Sequence, residues 1–272
     1  MAESTAWESP PGNFERSLQL RADGNAWTCR ASADYEMMGR MFGGWTAAVI
    51  LKAVLASAAS ERMPAALTVS FLDEVMPGSD LVITPQLIGG GRSVQHWSAD
   101  MDTVGDARKV ARAAVVLAER RPSQAHVEPE MPSVPGPEED LEPLVPPGAA
   151  GSQIASFAVA GNPPFGLFDT RSLAWVREKS GRPVDHLQLA LLSDLKAPRS
   201  FYWHDGPHPT STLTLSVYFL ATGAELSLVG DDFILTEAIG TRGADSISGE
   251  QVRLWSRDGT LMATSEQLCW YR

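Results

Sequence analysis

A chain of 272 residues, 44% hydrophobic and 20% charged, can bury a sizeable core as one large domain or two ordinary ones. Its formal net charge of −11 argues against a nucleic-acid partner, whose phosphates need a basic footprint, but leaves room for a small anionic ligand on a local basic patch. Its two cysteines, Cys29 and Cys269, make at most one bridge and suggest no disulfide framework. The opening residues Met1-Ala2-Glu3-Ser4 lack the basic start and apolar run of a secretory signal. The most apolar stretch, 45–59, is interrupted by Lys52 and is too short to span a bilayer. The expectation is a cytoplasmic protein with no membrane partner.

In chain order, residues 45–60 form an apolar helical stretch, and 67–71 (Leu67, Thr68, Val69, Ser70, Phe71) alternate as a half-buried strand does. Further strands are expected over 81–87, 93–101 and 110–117. Gly89-Gly90-Gly91 lacks dinucleotide-binding spacing and reads as a turn. Gly105-Asp106 suits a hairpin before the last of these strands. Eight prolines then fall between Pro122 and Pro147, with the acidic residues Glu138, Glu139, Asp140 and Glu142 among them. Proline lacks the backbone donor that a helix interior or central strand needs, so this segment reads as an extended linker, ordered or disordered.

The pattern then repeats. A helix is expected over 184–195 and a strand over 213–219, with Thr212, Thr214, Ser216 and Tyr218 on one face and Leu213, Leu215, Val217 and Phe219 on the other. Strands over 225–239, 246–256 and 261–271 follow, with Asp258-Gly259 at the matching hairpin. His204 and His208 have metal-ligand spacing for a helix, but Gly206, Pro207 and Pro209 forbid that helix. A loop with two solvated histidines and no metal is the expectation. His96 and His186 have no evident partner.

One long helix followed by an antiparallel meander, written twice, defines an α+β tandem (double) hotdog, each half a sheet wrapped around its helix. The expected division is an N-terminal hotdog over 1–121, a proline-rich acidic linker over 122–150, and a C-terminal hotdog over 151–272. The two sheets are expected to pair edge to edge.

Asp194 follows Leu187, Ala190 and Leu191 at helical spacing, which puts a carboxylate on an apolar stripe. A charge there is costly unless it is paired or bonded. On the last strand, alternation groups Gln267 with Ala263, Ser265 and Cys269. Taken singly, Thr212 and Gln267 are ordinary strand residues. No Gly-x-Ser-x-Gly elbow is present, which argues against an α/β-hydrolase.

Together, the segments 192–195, 211–216 and 261–267 resemble the C-terminal half of the acyl-CoA thioesterase II family. Met41-Phe42-Gly43-Gly44 and Gly91-Arg92-Ser93 resemble its first half. The run after Thr212 is less polar than is common in the family, and the proline-rich segment is a further departure. The resemblance implies an acyl-CoA substrate, hydrolysis to free acid and CoA, no cofactor, and a homodimer. It assigns Asp194, Thr212 and Gln267 to holding a hydrolytic water. Asp194 would be the base, and the other two would orient the water through hydroxyl and amide hydrogen bonds. The amides of Gly43 and Gly44, at a helix start facing the other half's site, would supply the oxyanion donors. Aligning Gly105 with Gly259 places Ala113 opposite Gln267, and the first helix has no acid, so one site per chain is expected. The alternatives are a non-catalytic acyl-CoA binder, or a hotdog hydratase or dehydratase. The latter needs a histidine at a helix start, which none is expected to occupy.

Overall fold

The computed structural model describes residues 13–167 and 169–272; the first twelve residues of the expected N-terminal half lie outside the described residues. The chain opens with α1 (Asn13–Ser17), the hairpin β1 (Arg21–Asp23) and β2 (Ala26–Arg30), and a small ribbon of β3 (Glu36–Met37) and β4 (Arg40–Met41). Next come α2 (Gly43–Ala58) and the strands β5 (Met63–Phe71), β6 (Asp80–Gly90), β7 (Val94–Thr103) and β8 (Lys109–Ala118). The second half runs through β9 (Glu142–Pro143), α3 (Ala150–Gln153), β10 (Ile154–Ala160), β11 (Ser172–Glu178), α4 (His186–Leu192), β12 (Thr210–Phe219), α5 (Gly223–Val229), β13 (Ile234–Ala244), β14 (Ile247–Trp255) and β15 (Leu261–Tyr271).

Apart from the β3–β4 ribbon, the described strands form one 13-stranded sheet in the order β1-β2-β6-β7-β8-β5-β12-β15-β14-β13-β11-β10-β9. The two halves meet where β5 pairs antiparallel with β12, Val69 opposite Leu215. On one face of the sheet lie α2 and α4. Every residue of α2 from Gly44 to Leu51 is buried, as a helix apolar all round must be. Its C-terminal half is linked to the start of α4 through Glu15, whose carboxylate takes Lys52 and Arg182, each at 3.0 Å. At the opposite end, the start of α2 touches the end of α4.

The proline-rich segment is not a loose connector. β11 alternates, sending Ala174 and Val176 to the helix side and Leu173 and Trp175 to the other, where they join Leu235 and Trp255. Met131, Val134 and Leu141 pack over this second apolar cluster. Trp175 Nε1 donates to the Pro135 carbonyl at 2.7 Å, and β9 adds an edge strand to β10. Prolines suit this edge and surface position because no ladder donor is asked of them.

Two expectations need correction. Residues 225–239 are not one strand, because α5 occupies the first part. A capping box nucleates it: Glu225 Oε2 accepts from the Thr222 N–H at 2.7 Å, and the Thr222 hydroxyl accepts from the Glu225 N–H at 3.3 Å. Gly230, at φ +60°, then ends it. The second helix is also shorter than 184–195. It starts at His186, so a histidine does open a helix. That ring is buried edge-on against Phe219, and burial, with Arg120 nearby, pulls its pKa down to about 4.

Candidate active site

After Leu192 the chain leaves the helix. Ser193 caps it, its N–H bonded to the Leu189 carbonyl, and Asp194 sits in the turn beyond. The expected helical stripe is therefore not what directs Asp194. The turn is pinned from below, where Ser265 Oγ on β15 donates to the Ser193 carbonyl at 3.2 Å. Two residues further along the same face of β15, Gln267 Nε2 donates to Asp194 Oδ1 at 2.6 Å.

Thr212 reaches this cluster by a different device. Strict alternation would give it the face of Thr214 and Ser216, away from Leu215. Instead the β12–β15 register slips between Thr212 and Thr214: Thr212 is opposite Cys269, Thr214 opposite Leu268 and Leu215 opposite Gln267. The extra residue, Leu213, turns Thr212 to the face of Gln267 and Cys269, as a bulge does. Thr212 Oγ1 then lies 3.4 Å from Gln267 Oε1 and 3.9 Å from Cys269 Sγ. Gln267 thus links the acid at one end of its amide to the hydroxyl at the other.

The first half contributes the start of α2. A Cβ on Gly43 would lie 2.7 Å from Asp194 Oδ2 and 3.3 Å from the Phe71 ring. One on Gly44 would lie 2.3 Å from the Leu191 carbonyl oxygen. Both positions are glycine because another chain segment occupies the space a side chain needs. The Gly44 N–H faces the Asp194 carboxylate, so it anchors the acid. The five residues singled out in the sequence therefore come together, drawn from both halves.

Two charged residues beside them escaped the sequence reading. Lys196 Nζ and Glu250 Oε2 pair at 2.6 Å with both side chains buried, 6% and 0% exposed. Glu250 is cross-strand from Gln267, and its Oε1 accepts from the Arg199 backbone N–H at 2.8 Å. The signal was present, since Glu250 shares the buried face of its strand with Val252 and Leu254, the same anomaly that marked Asp194. The equivalent pair in the first half is Ala99 opposite Ala113, both buried.

Asp194 is half-buried as a residue and sits deep among protein atoms, and this burial pushes its pKa above the ordinary aspartate range. Lys196, the Gln267 amide and the Gly44 N–H oppose that shift, and Glu250 adds to it. Burial would raise Glu250 as well, but Lys196 and Arg199 hold it below its usual range. The Cys269 thiol is pushed up to about 12, chiefly by burial, which leaves it an inert neighbour.

His204 and His208 are not solvated loop residues. Their rings lie 4.3 Å apart in a half-buried cluster with Phe201 and Tyr271, bonded to the Ser200 carbonyl and hydroxyl at 2.7 and 3.0 Å. Among the described residues no group of three or more His, Cys, Asp or Glu is placed to hold a metal, and no helix is long and apolar enough to cross a membrane. A surface cavity of about 490 Å³ near Asn162, Phe165 and Arg171 shares no residue with the Asp194 cluster.

An acid, an amide and a hydroxyl thus converge beside the junction of the two halves. Residues 31–118 match the family described as acyl-CoA thioesterase N-terminal domain, and residues 122–271 match the acyl-CoA thioesterase C-terminal domain. The chain belongs to the acyl-CoA thioesterase family. Its fold is that of a hot dog protein of unknown function from Alicyclobacillus acidocaldarius, at 31% identity and TM-score 0.89 over 95% of this chain and 97% of that one. The acyl-CoA thioesterase II TesB2 of Mycobacterium marinum is similar at 18% identity and TM-score 0.75, over 95% and 98% of the two chains. The dehydratase domain of PpsC from Mycobacterium tuberculosis, solved with C12:1-CoA, shares the fold at 14% identity and TM-score 0.59, over 94% and 99%. No curated protein matches.

Proposed function

We propose that this protein hydrolyses an acyl-CoA thioester to free acid and CoA by direct attack of water. The observation that carries the reading is the Asp194–Gln267–Thr212 chain, closed on its open side by Gly43 and Gly44 of the other half. The water oxygen bonds to the thioester carbonyl carbon while its proton passes to Asp194. The C–S bond then breaks, and the departing thiolate takes that proton back to give CoA thiol. A raised carboxyl pKa suits such a base, because proton transfer is most effective when the pKa approaches the working pH. At 3.4 Å the Thr212–Gln267 bond is longer than an ordinary hydroxyl hydrogen bond. A water that enters between these groups displaces a weak contact. With Gly44 turned toward the acid, the Gly43 amide is the oxyanion donor of the pair.

This reading takes the chain as a tandem hotdog, with an N-terminal unit over 1–121, the packed segment over 122–150, and a C-terminal unit over 151–272 that carries the polar groups. Ala113 in the place of Gln267 supports one site per chain. A cytoplasmic homodimer is part of the same proposal, supported by two buried, unpaired cysteines and by the prevalence of two-fold assemblies.

Thiol release from a panel of acyl-CoAs tests the function. Asp194→Asn keeps the shape and removes the base, so turnover should fall by about 10²–10⁴-fold with ligand binding retained. Saturable binding without turnover in the wild type would make the protein an acyl-CoA binder instead. Water addition to an enoyl-CoA would make it a hydratase.

A further inference from the structure

The Lys196–Glu250 pair is buried, and burying two charges costs more than a surface pair returns. Its placement points to a role. One carboxylate on β14 holds the segment after Asp194 at two points, the Lys196 ammonium through one oxygen and the Arg199 backbone N–H through the other. Glu250 also stands directly across from Gln267, the residue bonded to Asp194. The acid and its amide partner are therefore both tied to elements that Glu250 registers. In the first half the corresponding cross-strand pair is Ala99 and Ala113, so no carboxylate stands in the place of Glu250.

We propose that Lys196 and Glu250 are positioning residues of the Asp194 site, a buried clamp that fixes the 194–199 turn against the sheet and sets the charge felt by Asp194. The proposal rests on Asp194 being the base, but its test does not depend on turnover. Asp194 is faced by the Gly44 N–H from α2, the Phe71 side of β5, Thr212 from β12, Gln267 and Cys269 from β15, Glu250 from β14 and Lys196 from its own turn. Arg199 faces Glu250, and its guanidinium is spent on Thr170, Ser172 and Ala197. With the Cys269 thiol pushed up to about 12, Lys196 and Glu250 are the charged groups that act on Asp194, with opposite signs.

The two partners must therefore move Asp194 in opposite directions. Glu250→Gln keeps an acceptor for the Arg199 N–H and leaves the ammonium free to act on Asp194, so its titration midpoint should fall. Lys196→Met leaves two carboxylates in one buried site, so the midpoint should rise. The neutral double variant K196M/E250Q has lost both influences, so its midpoint should lie between those of the two single variants. The readouts are the acid limb of kcat/KM and, independently of turnover, the Asp194 carboxyl titration by infrared difference spectroscopy, with Asp194→Asn as the assignment reference. If wild type hydrolyses no acyl-CoA, the catalytic reading fails while the titration still decides the clamp. Should K196M not fold, E250Q below wild type and the double variant above E250Q support the proposal. Midpoints of E250Q at or above wild type, or of the double variant at or below E250Q, overturn it. A merely structural pair would lower stability without this ordering.

Discussion

Thr212 and Gln267 meet across two neighbouring strands because the β12 register slips by one residue at Leu213. Without the slip, the hydroxyl would point away from Leu215 and out of the Asp194 cluster. Thr212→Val keeps the shape and removes one weak hydrogen bond, worth about 0.5–1.5 kcal/mol. Turnover should fall by roughly 2- to 10-fold, far less than in Asp194→Asn. Deleting Leu213 removes the extra residue and leaves Thr212 two places before Leu215, still opposite Cys269 on the face of Gln267, so steady-state kinetics should show a smaller loss than Thr212→Val. A loss in the deletion variant as large as in Thr212→Val would show that facing Gln267 is not enough to place the hydroxyl.

The two glycines should fail differently. At position 44 a methyl group meets the Leu191 backbone carbonyl, which cannot swing aside. Gly44→Ala should therefore cost about 1–3 kcal/mol of stability by overpacking, read as a lower denaturant midpoint. At position 43 the methyl meets the Asp194 carboxylate and the Phe71 ring, both side chains. Gly43→Ala should fold and lose turnover instead.

Asp194 should also weigh on stability. Its folded-state pKa lies above the unfolded value of about 3.8, so between the two the folded protein holds the extra proton. Stability then decreases as pH rises through that window. Asp194→Asn removes the ionised form, so it should raise the melting temperature at neutral pH, with the gain vanishing as pH falls below the unfolded carboxylate range. A variant less stable than wild type at pH 7 would contradict the burial argument.

Trp175 ties the proline-rich segment down through its indole N–H. Trp175→Phe keeps most of the ring and loses the 2.7 Å bond to Pro135, a loss of about 1 kcal/mol. Limited proteolysis should then cut faster within 122–147, with the rest of the chain still resistant. Unchanged cleavage would mean that the apolar contacts of Met131, Val134 and Leu141 suffice.

Much of the strand order was legible because alternation and hairpin glycines are local signals. The strand expected over 261–271 is β15 (Leu261–Tyr271), and the first helix differs from 45–60 by two residues at each end. What alternation cannot report is where it breaks. Leu213 looks like any buried strand leucine, yet it is the bulged residue, 36% exposed. The Thr222–Glu225 signature of α5 was present in the sequence but hidden within a stretch that also suits a strand. Asp194 drew notice through a helical stripe it does not occupy, since tertiary contacts with β15 and α2 place it. Glu250 carried the same warning as Asp194, a charge among apolar neighbours, and its partner Lys196 is close only once the chain has turned back onto the sheet.

The β5–β12 junction also bears on how the chain is made. Phe71 and Thr210 are separated by 138 residues, roughly 7–28 s of translation at ordinary rates of 5–20 residues per second. Throughout that interval the nascent first half displays β5 as a naked edge, the kind of surface that recruits other chains. Its entry end is shortened by Pro64, which has no amide to offer, and by the extra residue Ala65, which breaks the regular register of β5 with β8. The outward-facing residues Ala66, Thr68 and Ser70 are small and mostly polar. The edge is thus disguised while it waits for a strand of its own chain.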